Sequence, residues 1–191
     1  MTHKLVCSPA LSRSDWTSSS VKLKEGIPEE LWFGTVPTPL GEMTLVGVDD
    51  ALCYLGFEEN RSLEKVCRFF PKAVVARDDK QAAKMAKTVM RLWEGKETNP
   101  VTFIVGGTDF QRSVWKSLMK IPKGKVVSYA TVAAAVGRPA AVRAVGTAVG
   151  ANPISLLIPC HRVVQSNGSF HNYGWGNAMK LQLLTAEKAI A

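Results

Sequence analysis

The stretch SYATVAAAVGRPAAVRAVGTAVGAN, residues 128–152, carries the clearest fold signal in the chain. Ser128 is a typical helix N-cap and Gly137 a typical helix stop, so this part predicts one short helix. Pro139 suits the first turn of a second helix. Two short helices joined by the tight turn VGRPA are the pattern of a helix-turn-helix, although many helical hairpins with this pattern bind nothing.

The second of these helices consists almost entirely of small residues, and Arg143 is the only charged side chain in its body. Helix propensity explains the alanines but not Gly146 and Gly150, because glycine weakens a helix. A helix of this composition suits close approach to another surface. That surface is either a neighbouring helix or a groove of nucleic acid.

The preceding part of the chain predicts an α/β domain. LWFGTVPTPLGEMTLVGVDDALCYLGFEE predicts three antiparallel strands near residues 31–36, 42–48 and 51–57. SLEKVCRFF and KQAAKMAKTVMRLWEG have helical spacing, the second ending at Gly95, and NPVTFIVGG predicts one more strand before a domain boundary. Cys53 and Cys67 are expected in the core.

Three segments are therefore expected. Residues 1–30 are polar and Ser-rich and predict a flexible N-terminal arm, residues 31–100 form the α/β domain, and residues 101–191 form a mostly helical domain. The last begins with the helix TDFQRSVWKSLMKI, capped by Thr108 or Asp109. Its predicted buried stripe is Phe110, Val114, Trp115 and Leu118.

Charge is distributed unevenly along the chain. The net charge is +8, yet residues 1–100 hold 14 Lys/Arg against 14 Asp/Glu, whereas residues 101–191 hold 10 Lys/Arg against Asp109 and Glu187 alone. A basic module predicts a polyanionic partner, nucleic acid first and a membrane surface second, against the alternative of a merely solvated face. No apolar run approaches the roughly 20 residues of a membrane span, and no signal-peptide core is present, so a soluble intracellular protein is expected.

The segment IPCHRVV, residues 158–164, places a cysteine beside a histidine and an arginine. A metal site is disfavoured, because adjacent Cys160 and His161 diverge in an extended chain and no other ligands cluster nearby. Core packing suits cysteine in general but explains the flanking residues poorly. A nucleophile needs a thiolate, and a Cys–His–Glu arrangement with Glu187 would let His161 take the thiol proton. The chemistry favours a reactive cysteine.

These segments together resemble the O6-alkylguanine-DNA alkyltransferases, also called methylated-DNA–protein-cysteine methyltransferases. IPCHRVV is similar to that family's active-site motif, and TDFQRSVWKSLMKIPKGKVVSYATVAAAVG to the segment leading into its helix-turn-helix. AVRAVGTAVGANPISLLIPCHRVV resembles its recognition helix, Asn-bearing turn and active-site strand, and NYGWGNAMKLQLLTAEK its closing loop and helix. The resemblance covers about residues 101–188, is weaker over 31–100 and is absent over 1–30.

The resemblance implies a fold and a reaction. The fold is an α/β N-terminal domain, ribonuclease-H-like with an antiparallel sheet and helices, followed by a mostly α-helical, winged-helix-like domain with a helix-turn-helix. The reaction is direct damage reversal: the protein flips O6-alkylguanine, mainly O6-methylguanine, out of duplex DNA and transfers the alkyl group irreversibly to Cys160. Each molecule reacts once, as a self-inactivating methylated-DNA–[protein]-cysteine S-methyltransferase, without cofactor or metal. A monomer that binds double-stranded DNA and no membrane is expected, cytoplasmic in a prokaryote and nuclear in a eukaryote.

The resemblance also implies roles for individual residues. Cys160 attacks the alkyl carbon, while His161, acting through a water and held by Glu187, removes the thiol proton. Tyr129 donates a proton toward the guanine ring and Asn152 braces the turn before the cysteine, the structural alternatives being core packing and a helix C-cap. Arg143 fills the gap left by the extruded base. The other implied contacts are with DNA, through Arg138, Ala140, Ala141 and Ser128, and with the base or alkyl group, through Val163, Tyr173, Gly174 and Trp175.

The loop SFHNYGWG, residues 169–176, departs from the family pattern. Phe170 and His171 stand where relatives often have small residues, and Gly174 lacks the side chain that many relatives place after the tyrosine. A bulkier loop predicts a narrower pocket that favours methyl over benzyl lesions.

Three rival functions are disfavoured by the same residues. A relative that only binds lesions would lack Cys160. A helix-turn-helix regulator would carry polar base-reading side chains on its second helix. A cysteine hydrolase would need an oxyanion hole and a separate histidine.

Overall fold

The computed structural model describes residues 21–24, 28–97, 99–170 and 173–190. The chain divides into two compact units. One, the α/β unit, consists of Thr17–Gly107 with Pro153–Leu157, and the other, the helical unit, includes Thr108–Asn152 and the chain from Ile158 onward. The segment just before the active-site motif thus belongs to the α/β unit, where Leu55 and Ile154 form a parallel bridge.

The α/β unit is built around a six-stranded sheet of order β1-β6-β4-β3-β2-β5. Antiparallel pairing of β2, β3 and β4 confirms the meander predicted from the alternating apolar runs. The expectation of an antiparallel sheet throughout is wrong, because β6 pairs in parallel with β1 and β4, and β5 pairs in parallel with β2. The strands are β1 (Val21–Lys24), β2 (Glu30–Thr38), β3 (Gly41–Val48), β4 (Ala51–Gly56), β5 (Val74–Arg77) and β6 (Val101–Ile104).

Strands β1 and β5 lie where the sequence predicted none. β1 falls inside the expected N-terminal arm and pairs with β6 from Val21↔Val101 to Lys24↔Ile104, whereas residues 1–20 of that arm lie outside the described residues. Each strand has only four residues and forms an edge of the sheet. Four residues are too few to show a convincing alternation, so their pairing is decided by the neighbouring strand.

Two helices complete the α/β unit, α1 (Glu59–Phe69) and α2 (Asp79–Glu94). The side chain of Asp78 caps α2 by accepting from the amide of Gln81, and Gly95 ends it with a φ of 77°, as the sequence predicted. Cys53 is buried as expected. The same expectation for Cys67 is wrong, because α1 turns Val66 into the core and leaves Cys67 exposed.

The helical unit begins with α3 (Asp109–Leu118), which Thr108 and Gln111 hold in a complete capping box. Val114, Trp115 and Leu118 are buried as predicted, and Phe110 is half-buried. A two-stranded parallel sheet joins β7 to β8. None of the helices in the described ranges has the length and apolar character of a membrane span. The later elements are β7 (Val127–Ser128), α4 (Tyr129–Ala135), α5 (Val142–Gly150), β8 (Val163–Val164) and α6 (Asn177–Ala186).

The helix pair α4 and α5 matches the predicted helix-turn-helix except at one boundary. Ser128 caps α4 by accepting from the amide of Thr131 at 3.0 Å, and Gly137 has a φ of 73° after the helix. Pro139 does not lie in the first turn of α5, which begins three residues later at Val142. A proline disfavours helical geometry in the residue before it. The stretch from Arg138 to Ala141 instead forms a turn, closed by a hydrogen bond from the amide of Ala141 to the carbonyl of Arg138 at 2.9 Å.

Candidate active site

The active-site motif forms a single 3₁₀ turn, Cys160–Arg162, followed by the short strand β8. The family resemblance implied a strand here, and only Val163–Val164 is one. A 3₁₀ helix has three residues per turn, so consecutive side chains point about 120° apart. Cys160, His161 and Arg162 therefore point in three directions although they are adjacent in the chain. Proline fixes the backbone just before this turn at Pro159, whose φ is −79°.

Asn152 holds Cys160 from the other side. Its amide nitrogen Nδ2 lies 3.0 Å from Cys160 Sγ and donates a second hydrogen bond to the carbonyl oxygen of Ile158 at 2.7 Å. Asn152 is 3% exposed and Cys160 is 7% exposed. The hydroxyl of Tyr173 lies 4.0 Å from the same sulfur. The structure thus brings together Asn152, Cys160 and Tyr173, three of the residues that the sequence predicted.

A buried carboxylate joins the other two side chains of the turn. Glu187 Oε1 lies 3.0 Å from His161 Nε2, and Arg162 binds the carboxylate in bidentate fashion, with Nε to Oε2 and Nη2 to Oε1 both at 2.8 Å. An ionised carboxylate only accepts, so we assign the imidazole proton to Nε2. Nδ1 of His161 is then the basic nitrogen, and it is buried without a hydrogen-bond partner in the described part of the chain.

The charges around His161 suit it to act as a base at neutral pH. Burial lowers the pKa of His161; the hydrogen bond and charge of Glu187 oppose this, and the charges of Arg162 and Lys180 add to it. Burial also raises the pKa of Glu187, but hydrogen bonds and charges of His161 and Arg162 outweigh it, so the pKa of this carboxyl lies below its usual value. The result is a neutral imidazole beside an ionised carboxylate.

Lys180 of α6, which is 1% exposed, was not among the residues predicted for the site. Its Nζ donates to the carbonyl oxygen of Val163 at 2.6 Å and lies 5.8 Å from the centre of the Tyr173 ring. Burial lowers the pKa of Lys180 to about 8, although the negative charge of Cys160 works in the opposite direction. The available signal was spacing, because Lys180 precedes the buried Leu183 and Leu184 by three and four residues and shares their helix face.

Arg162, like His161, was a candidate from the sequence for the group that favours the thiolate of Cys160, and the structure pairs it with Glu187. It is 3% exposed, and besides Glu187 it binds the carbonyl oxygen of Ile121 at 2.6 Å through Nη1. An arginine this deeply buried requires a paired charge, and Glu187 supplies it. Arg162 therefore fixes the carboxylate that in turn fixes His161.

Tyr129 and Ser128 stand at the start of α4. Tyr129 is half-buried, and burial together with the charge of Cys160 raises the pKa of its phenol, so the phenol keeps its proton at neutral pH. Ser128, predicted to contact DNA, is 7% exposed. Its hydroxyl caps α4 and lies 2.9 Å from the hydroxyl of Thr131, so the structure gives Ser128 a capping role.

The remaining predicted DNA contacts lie on the open side of the helix-turn-helix. Arg143, Arg138 and Ala140 are exposed and Ala141 is half-buried, whereas Val145, Ala148 and Val149 form the buried side of α5. The guanidinium of Arg138 lies 5.6 Å from the centre of the Phe110 ring, which supports this arginine from α3. Apart from its chain neighbours and the nearby backbone of α5, a Cβ placed on Gly146 would meet no atom of the protein within 4 Å.

The predicted pocket residues differ in how deeply they are buried. Val163 is buried, and Tyr173, Gly174 and Trp175 are half-buried. Phe170 packs against the cluster of Val126, Val164 and Leu184, so its bulk is accommodated in the core. His171, the other residue of the enlarged loop, lies outside the described residues. Within the described ranges, no three His, Cys, Asp or Glu side chains cluster in a way that could hold a metal ion.

Known proteins similar to this chain include several methylated-DNA–protein-cysteine methyltransferases. The family profile described as "6-O-methylguanine DNA methyltransferase, DNA binding domain" matches residues 109–189. The inducible methylated-DNA–protein-cysteine methyltransferase of Bacillus subtilis is 40% identical over 144 residues, which is 72% of this chain and 79% of that protein. The methylated-DNA–protein-cysteine methyltransferase of Mycobacterium tuberculosis is 37% identical over 161 residues, 83% of this chain and 93% of that protein. A solved structure, Mycobacterium tuberculosis OGT in complex with DNA, matches with a TM-score of 0.69 and 34% identity over 84% of this chain and 93% of that one.

Proposed function

Because the chain belongs to the methylated-DNA–protein-cysteine methyltransferases, we propose that Cys160 is the cysteine to which it transfers an alkyl group from DNA. The protein acts in direct-reversal DNA repair and binds DNA. The proposed substrate is O6-alkylguanine, mainly O6-methylguanine, in double-stranded DNA. The sulfur forms a bond to the alkyl carbon as the bond from that carbon to guanine O6 breaks, and the thioether product is stable. Each molecule therefore reacts once.

The observation that carries this proposal is the buried arrangement of Cys160, His161 and Glu187. Glu187 accepts a hydrogen bond from Nε2–H of His161, so that Nδ1 is the nitrogen that takes the thiol proton, through a bridging water. Asn152 donates to the sulfur and so favours the thiolate over the thiol. A cysteine that only filled the core would need neither the His161–Glu187 pair nor a hydrogen bond from Asn152.

The leaving group also needs a proton, and Tyr129 is the proposed donor. The raised pKa of Tyr129 keeps the phenol protonated while the thiolate attacks. As the C–O6 bond breaks, its electron pair remains on guanine, and the phenolic proton moves toward the ring to neutralise that charge. Cys160 and Tyr129 thus act on opposite ends of the same charge transfer.

The test of the function is the mass and location of the product. We expect intact protein incubated with a duplex carrying O6-methylguanine to gain the mass of one methyl group, and peptide mapping to place that group on Cys160. A methyl group on Cys7, Cys53 or Cys67 would reject the assignment of the acceptor. No gain in mass would reject the reaction itself.

The alkylated guanine must leave the base stack before Cys160 can reach it, at a cost of a few kcal/mol. We propose that α5 enters the minor groove and that Arg143 fills the gap left by the base. The exposed side of α5 supports this, since apart from Arg143 it carries Val142, Ala144, Thr147 and Gly150. Such a surface reads little sequence, which suits a protein that must find damage in any context.

We expect Arg143→Ala to slow repair of duplex DNA by roughly tenfold to a hundredfold, about 1.4–2.8 kcal/mol of lost stabilisation. Reaction with free O6-methylguanine base should change little, because a free base needs no extrusion. The measurement is a pair of single-turnover rates. Arg138→Ala is the matched control, a neighbouring exposed arginine whose loss should lower affinity and the salt slope by about one unit but spare the opened duplex. Equal losses on both substrates would make Arg143 structural.

We expect Gly146→Ala to separate stability from DNA binding. Alanine is favoured over glycine in a helix by about 1 kcal/mol, and the space around Gly146 is open, so the free energy of unfolding should rise by about that amount. The new methyl group lies one turn after Arg143 and would hold the helix away from the groove, so affinity for duplex DNA should fall. Calorimetry and a titration with duplex DNA check both signs. A variant that is stabilised and binds DNA equally well would show that Gly146 faces no groove.

The finer description of the fold and of the assembly is also proposed. The mixed sheet with its antiparallel meander is compatible with a ribonuclease-H-like domain, and the helices α3, α4 and α5 with the β7–β8 pair support a winged-helix-like domain. We propose that the protein acts as a monomer. Sedimentation at working concentrations tests this.

A further inference from the structure

Helix α5 ends with a carbonyl that the helix itself does not satisfy. The amide of Ala151 donates to Thr147 at 3.0 Å, but the amide of Asn152 donates to Val149 at 3.3 Å, one residue short of its α-helical partner, Ala148. The carbonyl oxygen of Ala148 instead accepts from the indole nitrogen Nε1 of Trp115 at 2.9 Å. Trp115 is fully buried and Ala148 is 2% exposed, so no solvent competes for this bond.

We propose that Trp115 is a positioning residue for alkyl transfer, which sets the exit of α5 so that Asn152 reaches Cys160. This inference rests on the proposed role of Cys160 as the acceptor. Asn152 lies four positions after Ala148. Its side-chain amide contacts both the carbonyl oxygen of Ile158 and the sulfur of Cys160. The direction in which the chain leaves α5 therefore decides where that amide points.

The alternative pairing of the helix end shows what the indole prevents. Without a donor from Trp115, the buried carbonyl of Ala148 has one natural replacement, the amide of Asn152 four residues later. That bond would extend α5 by a residue in α-helical geometry. Because a 3₁₀ residue rotates by about 120° and an α-helical residue by about 100°, this change would shift the side chain of Asn152 relative to Cys160. The indole bond satisfies the carbonyl of Ala148 without this rearrangement, in which the contact between Asn152 and the sulfur would be disturbed.

The support for Trp115 is rigid. It lies in α3 between the buried Val114 and Leu118, and α3 begins with the capping box of Thr108 and Gln111. The bond to Ala148 joins this helix to the end of α5, the helix that carries Arg143. This hydrogen bond therefore links α3 to α5, the helix that carries Arg143 and is followed by Asn152.

The sharpest test removes only the N–H group. Replacing Trp115 with β-(3-benzothienyl)alanine keeps the size and shape of the ring system and exchanges N–H for sulfur; Trp115→Phe is a second, genetically encoded variant. The matched control is the same replacement at Trp32, whose Nε1 also donates to a backbone carbonyl, that of Asp49, at 2.9 Å. Trp32 lies in the α/β unit and has no proposed link to Asn152.

We expect the Trp115 variants to transfer methyl groups from duplex DNA about tenfold more slowly, at a temperature where melting curves show them folded, and the Trp32 variant to react at the normal rate. The pH at which iodoacetamide alkylates Cys160 half-maximally, followed by peptide mapping, should rise, because a displaced Asn152 no longer favours the thiolate. Tyr129, Tyr173, His161 and Lys180, which also act on this sulfur or on its base, are unchanged in these variants.

A double-mutant cycle separates positioning from general support. If Trp115 acts through Asn152, the Trp115 replacement has no further effect on the rate in an Asn152→Ala background. Additive losses, or a lower melting temperature with an unchanged rate and thiol titration, would overturn the proposal and leave Trp115 a core residue. If the protein without any substitution does not become methylated on incubation with the damaged duplex, the proposed function is overturned. The two failures are therefore distinguishable.

Discussion

Cys160→Ser is expected to abolish methyl transfer while leaving affinity for duplex DNA within about twofold. A hydroxyl near its normal pKa is a weak nucleophile, and the loss should be at least about a thousandfold. Serine still accepts the hydrogen bond from Asn152, so the fold around the site should persist. The measurement is intact mass after incubation with a duplex carrying O6-methylguanine, beside a binding titration with the same duplex.

Cys160→Ala extends this test, because alanine leaves the buried amide of Asn152 with one acceptor fewer. It should be equally inactive but less stable than the serine variant, by about 1 kcal/mol. Cys67→Ser is the matched control, an exposed cysteine whose replacement should alter neither rate nor stability. Methylation of the Cys160→Ser protein would contradict the assignment of Cys160 as the acceptor.

Glu187→Gln is expected to have the largest effect on stability. The substitution keeps the shape of the side chain but leaves the charge of Arg162 buried without a counterion, which typically costs about 3–5 kcal/mol. It also removes the group that orients His161, so alkyl transfer should fall by roughly 10²- to 10⁴-fold. Chemical denaturation measures the first effect and single-turnover kinetics the second.

The pH dependence gives this prediction a second readout. The folded-state pKa of Glu187 lies below its usual value of 4.5. A depressed carboxyl pKa contributes stability that is fully present above the unfolded value and is lost as pH falls toward the folded one. The stability gap between the native protein and Glu187→Gln should therefore be constant near neutrality and narrow below about pH 4.5.

The double variant Glu187→Gln with Arg162→Met is the control for the buried charge. Removing both partners leaves no unpaired ion, so much of the lost stability should return, whereas the rate should remain low because His161 still lacks its carboxylate. Full stability in the single variant would show that Glu187 and Arg162 do not pair in solution. A normal rate in the single variant would show that His161 does not depend on Glu187.

Much of the fold could be predicted because its signals are local. The meander over β2, β3 and β4 follows from period-two alternation, and the caps at Ser128, Thr108 and Gly95 depend on a few neighbouring residues. The errors fall where the outcome depends on distant partners. Strands β1 and β5 exist because neighbours in the sheet pair with them, and α5 begins only at Val142 because residues 138–141 form a turn before it.

By itself, the sequence determined the family and hence alkyl transfer to a cysteine, and it predicted Cys160, His161 and Glu187 as the residues of the site. Only the tertiary structure decided which charges are buried with them. Lysine and arginine are exposed in nearly all proteins, so nothing in the sequence forces Lys180 or Arg162 inward. Arg162 meets Glu187 25 residues away, and Trp115 meets Ala148 33 residues away. Contacts between residues so far apart in the sequence depend on the packed fold. Only the fold buries a polar group and at the same time places a partner beside it.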